Sequence, residues 1–145
     1  MWRRLLATSN NLPLACVRLG LGIVMFPHGA QKMLGWFGGH GFSASLASFE
    51  HQGFPAVIAF LPIAAEFFGS LGLILGFLTR VAAFGVLCDM LVALFKVHIH
   101  NGFFMNWMGN KHGEGFEYHI LAIAMALAVM VGGAGAASLD RLLHR

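Results

Sequence analysis

The chain has 145 residues, of which 58% are apolar and 10% charged, and carries a net charge of +3. Soluble domains are about a quarter charged, so this composition excludes an ordinary water-soluble globule, as does a mean hydropathy of +0.75. The nine basic residues are dispersed, which removes the basis for nucleic-acid binding.

In chain order, Trp2, Arg3 and Arg4 read as a membrane-surface anchor. Asn10, Asn11 and Arg18 interrupt the apolar run that follows, and no small-x-small cleavage site succeeds it, so the N-terminus reads as uncleaved. A membrane span needs about 20 mostly apolar residues, and four segments qualify: 12–36, 55–78, 81–99 and 117–136. Between the first two, Ser43 can cap a short surface helix to Glu50, with Leu46 and Phe49 on its apolar side. Thr79 and Arg80 leave a tight turn between the second and third spans. The other two connections carry aromatics suited to interface depth, among them Trp36, Phe103, Trp107 and Tyr118. Cys16 and Cys88 lie in apolar runs without CxxC spacing and read as small hydrophobes.

The expected architecture is all-α: one integral-membrane four-helix bundle over residues 1–145. Arg3, Arg4, Arg80, Arg141 and Arg145 fall on one side, and Lys32 and Lys111 toward the other. By the positive-inside rule both termini of this multi-pass protein are cytoplasmic, and the two long loops face outward, into the periplasm if the source is a Gram-negative bacterium.

Ionisable groups at membrane depth are costly and therefore informative. His28 and Lys32 are four residues apart and share a helix face with Arg18 and Met25. The second span holds Glu66 on a stripe with Pro62, Gly69 and Gly76; the third holds Asp89, Lys96 and His100 on another. At a rise of about 1.5 Å per residue, Glu66 lies near mid-bilayer. Arg18 and Asp89 fall in the inner half and read as a structural ion pair, with Glu66 as the alternative partner for Arg18. Lys32, Lys96, His98, His100, Glu117 and His119 form an outer, His-rich vestibule. Pro27 and Pro62, each beside a polar group, are expected to loosen the helices there and open a pocket between His28 and Glu66. A metal site drawing on His98, His100 and His119 is a weaker reading. The spacing fits no defined zinc or copper motif, and His98 and His100 diverge by about 160° on a continuous helix. No haem, flavin or iron–sulfur motif is present.

These residues also carry a family resemblance. His28-Gly29-Ala30-Gln31-Lys32, then Glu66 with Gly69, Gly72 and Gly76 closing at Thr79-Arg80, Asn101-Gly102-Phe103-Phe104, Glu114 to Tyr118, and Ser138-Leu139-Asp140 together resemble the DoxX family of four-helix membrane proteins. Some members of that family are subunits of quinone-linked oxidoreductases, and others accompany redox-stress proteins. The resemblance implies a quinone-interacting membrane subunit of a redox system. Its candidate pocket for ubiquinone or menaquinone is formed by His28, Lys32, Glu66 and Glu117, with Glu66 as a proton relay. Electrons would come from a protein partner or a small reductant. The alternative is a non-enzymatic scaffold or assembly partner whose Gly72-x-x-x-Gly76 face packs on another protein or a second copy.

Overall fold

A computed structural model describes residues 2–144. Residues 1 and 145 and the side chains of Trp2 and Arg3, on which part of the anchor and charge-bias reading depends, lie outside what is described. Seven α-helices run in order: α1 (Trp2–Leu6), α2 (Leu12–Leu34), α3 (Gly41–His51), α4 (Ala56–Leu75), α5 (Thr79–Ala93), α6 (Glu117–Gly132) and α7 (Leu139–His144), with no strand among the described residues. Helix α5 continues through a π-helical turn, Leu94–His98, and a 3₁₀ turn, Ile99–Asn101.

Three helices are long and apolar enough to cross a membrane: α2, α4 and the continuous stretch Thr79–Asn101. Helix α6 is apolar but shorter, ending at Gly132 rather than Ala136 because Gly133 at φ 85° leaves the helical region. The tight turn after α4 also lies earlier than expected. Gly76 ends α4 in the left-handed conformation, at φ 66°, and Thr79 already opens α5.

Helix α2 packs on α4 and α6, and α5 packs on the same two. The core they share is aliphatic and small, with Leu21, Met25, Leu73, Val86, Ala122 and Val129 at its centre. The outer surface is equally apolar, bearing Ile23, Val57, Phe68, Phe84, Phe95 and Val131. Apolar residues inside and out suit a bilayer, where the surroundings are as oily as the core.

Local chemistry explains the helix ends. Asn11 Oδ1 accepts from the Leu14 amide at 2.8 Å, and Pro13 sits in the first turn of α2, where no amide partner is missed. Pro27 and Pro62 both lie inside continuous helices. Helix α3 spans the expected surface segment and buries no residue fully.

The end of the molecule that holds both termini is tied by side chains bonded to backbone. Arg18 is completely buried, and its guanidinium donates to the carbonyls of Leu73 and Ile74 at the end of α4 and of Ala134, Ala136 and Ala137 after α6. Asp140 accepts from the Leu78 and Thr79 amides at 2.7 and 2.9 Å, capping α5. Arg80 donates to the carbonyls of Met130, Val131 and Ala7. The expected Arg18–Asp89 ion pair, and the alternative of Arg18 with Glu66, therefore do not form. Helix ends stripped of water leave carbonyls that need donors, and these claim every arm of the guanidinium.

The expected glycine contact face is likewise turned inward. A Cβ on Gly76 would meet Ser138 Cβ at 2.4 Å, and one on Gly72 would meet the Phe77 carbonyl at 3.0 Å.

Arg18→Leu should lower stability by about 3 kcal/mol or more, because several buried carbonyls lose their donor at once. Asp89→Asn should cost less than about 1 kcal/mol, since Arg18 does not depend on it. Unfolding followed by circular dichroism in mild detergent separates the two; equal losses would restore the ion-pair reading.

Candidate functional site

The site is built where α2 and α4 approach most closely. Gly29 makes this possible: a Cβ there would lie 2.5 Å from the Phe67 backbone nitrogen. With the two backbones in contact, Lys32, one turn beyond His28, reaches across to Glu66. The Lys32 ammonium donates to Glu66 Oε2, and this is the one salt bridge among the described residues. Glu66 is 7% exposed and Lys32 29%, so the pair sits at the edge of the buried region.

Two further helices complete the polar cluster. From α5, Asp89 lies beside Glu66. From α6 come Tyr118 and His119. The Tyr118 ring lies 6.2 Å from His28, and its hydroxyl contacts Met25 Sδ at 3.3 Å. The His119 ring lies 4.2 Å from that of His98, whose Nδ1 is 2.9 Å from the Glu114 carbonyl.

The π-helical turn at Leu94–His98 supplies what regular spacing could not. The extra residue in this turn shifts the register, so that Asp89, Lys96 and His98 all line one cavity while His100 does not.

That cavity has a volume of about 1010 Å³ and runs between α4 and α5. Its walls are apolar, and exposed Leu61, Phe68, Leu75 and Phe84 flank its open side. His28, Lys32, Glu66, Asp89, Tyr118 and His119 give it polar groups on its inner wall. The opening faces sideways, toward the surroundings of the helices rather than along their axis.

Most of the expected site residues converge here, but Glu117 does not line the cavity. It opens α6 and serves the preceding loop, its Oε1 accepting from the Met105 amide at 2.9 Å and from Trp107 Nε1 at 3.4 Å. Asp89 is the residue that sequence reasoning placed in the wrong role; its place on the Lys96 stripe was the available signal. Tyr118, read as an interface aromatic, also belongs to the wall. His98 and His119 are adjacent, but no group of three or more His, Cys, Asp or Glu among the described residues could hold a metal ion.

Removing one member of a buried ion pair strands the other. Lys32→Met should therefore cost about 2 kcal/mol, and the double variant Lys32→Met/Glu66→Gln less than Lys32→Met alone. A double-mutant cycle on thermal unfolding checks this; additive losses would mean that the pair carries no coupling.

The chain was compared with known proteins and structures. No curated protein and no solved structure matches it. The family model DoxX matches residues 14–99, a stretch that contains His28, Lys32, Glu66 and Asp89 together with the helices that carry them. This membrane protein, with its apolar helices and its polar cluster between them, belongs to the DoxX family.

Proposed function

We propose that this protein is a quinone-interacting subunit of a redox system in a bacterial cytoplasmic membrane. In this reading it is a four-span bundle with both termini cytoplasmic. Helix α6 is short for a span at about 24 Å by helical rise, and the irregular segment after Gly132 would complete the crossing. Arg4, Arg80 and Arg141 on the terminal side favour that orientation.

The observation that carries the proposal is the lateral groove between α4 and α5, with apolar walls and the Lys32–Glu66 pair on its inner face. Its volume stands at the upper end of the range for ligand pockets, about 300–1,000 Å³. An opening toward the acyl chains suits a ligand that never leaves the bilayer. The apolar walls suit an isoprenoid tail, and the inner polar groups suit a ring with two oxygens.

A bound quinone supplies two-electron, two-proton carrier chemistry. The residues of this chain do the rest. Lys32 and His28 donate hydrogen bonds to a ring oxygen. Glu66 holds or passes a proton, close to Lys32 and Asp89. His119 and His98 continue the polar wall toward the outer loop. Electrons come from a partner protein or a small reductant.

Purified protein in native-lipid nanodiscs should carry ubiquinone or menaquinone, detectable by extraction and mass spectrometry. Glu66→Gln should lower its content several-fold. Protein free of any quinone, which also fails to take up added ubiquinone, would overturn the proposal.

A second reading, a scaffold for a redox or stress-response complex, draws on a different observation. The outer loop carries Phe104, Trp107 and Met108 at 66%, 85% and 88% exposure. A large exposed aromatic at a loop tip suits either the membrane interface or a protein partner. Trp107→Ser should release a co-purifying partner in mild detergent while leaving the quinone content unchanged; loss of quinone with the partner retained would speak against the scaffold.

A further inference from the structure

The cavity is far larger than the ring of its proposed ligand. About 150 Å³ suffices for a benzene ring, whereas the cavity holds about 1010 Å³. Its lining is also divided. The ionisable side chains on the wall, Lys32, Glu66, Asp89, Lys96 and His98 among them, lie level with Glu66 or farther from the termini. Among the described residues, those on α4 and α5 that line it from there to the terminal end are apolar or glycine, apart from the Cys88 thiol. The Lys32 side chain keeps 29% exposure, so the ion pair is reached from the cavity and stands at the head of the apolar stretch.

Two helices shape that stretch into a trough. On α4, Leu61, Phe68 and Leu75 share one face at heptad spacing and are exposed. On α5, Val81, Phe84 and Cys88 form the facing rim and are exposed as well. Between the rims, Gly69, Gly72 and Gly85 leave the floor without side chains, and the two helices close on each other beneath it. A Cβ on Gly69 would lie 3.3 Å from Val86 Cγ2, and one on Gly72 would lie 3.1 Å from Ala82 Cβ. From Glu66 to Leu75 the trough is about 14 Å long by helical rise, room for about three extended isoprenoid units.

We propose that this trough seats the isoprenoid tail of the quinone, with the ring at the Lys32–Glu66 pair and the tail running along α4 and α5 toward the terminal end. The inference rests on the quinone-groove reading above and adds where the tail lies and which way it points. The opposite course, outward past Ile58 and Phe54, would carry the chain beside Gln52, Lys96 and His98, whose polar groups an isoprenoid chain cannot satisfy. Hydrocarbon already surrounds the tail in a bilayer, so the trough gains no hydrophobic energy by receiving it and acts through shape and packing. Position, rather than affinity, is therefore the property to read.

The full chain in lipid nanodiscs is photolabelled with two ubiquinone analogues, one bearing a diazirine on the first isoprenoid unit and one on the third, and the labelled residues are mapped by mass spectrometry. A diazirine-bearing palmitic acid reports what lipid alone reaches. The first-unit label should fall near Phe68 and Cys88, and the third-unit label near Leu75, Val81 and Phe84. Excess unlabelled ubiquinone should erase both, while the fatty acid marks the outer surface generally, Ile23 and Val131 included. Gly85→Val places a side chain on the floor, where the first added carbon meets Ala65 Cβ at an ordinary 3.5 Å. It should lower the third-unit label several-fold and leave the first-unit label unchanged. The mapping uses the unmodified protein, so it stands even if the variant does not fold. A third-unit label that spreads like the fatty acid, or that falls at Phe54 and Ile58, would overturn this inference and leave the proposed function intact, provided the first-unit label is still erased by ubiquinone. Absence of any label that ubiquinone erases would overturn both.

Discussion

Arg18 is a charged side chain with no exposed surface in a chain built for an apolar environment, and its position is explained by backbone rather than by a counter-ion. The end of α4 and the segment after α6 present buried and part-buried carbonyls, and each would cost several kcal/mol if left bare in hydrocarbon. One guanidinium serves five of them. Asp140 does the converse for the amides that open α5. The terminal end is held by these bonds, and the rest of the molecule is built outward from it.

The opposite half has a different economy. Toward the other end α2 and α4 touch through Gly29, and the cavity of about 1010 Å³ runs along α4 and α5, which pack closely at Gly72 and Gly85. The Lys32–Glu66 bridge ties α2 to α4 at the inner wall of the groove. The groove is held by a pair of side chains, Lys32 and Glu66, whereas the clasp bonds side chains to backbone.

The candidate site was legible in part because helical spacing is a local rule. His28 and Lys32 at four residues' separation must share a face, and a lone carboxylate such as Glu66 at mid-span must turn inward. Both expectations rest on energies that do not depend on which helix lies next door. Asp89 was misassigned for the same reason. Charge matching and depth suggested Arg18, but neither says which helix faces which, and carbonyls, invisible in a sequence, proved the stronger claim on the guanidinium. Glu117 was drawn toward the pocket by its neighbours and is held instead by the Met105 amide of its own loop.

By itself, then, the sequence determined that this is an all-helical membrane protein, approximately where its helices begin and end, and which ionisable side chains are too costly to face lipid. Those are consequences of composition and of the 3.6-residue period, which act residue by residue. Only the tertiary structure decided that Arg18 serves backbone, that the π-helical turn brings His98, and not His100, into the wall occupied by Asp89 and Lys96, and that the groove opens sideways between α4 and α5. Each of these depends on the rotation and separation of helices that are distant in the chain, set by where glycine permits contact and where water is excluded.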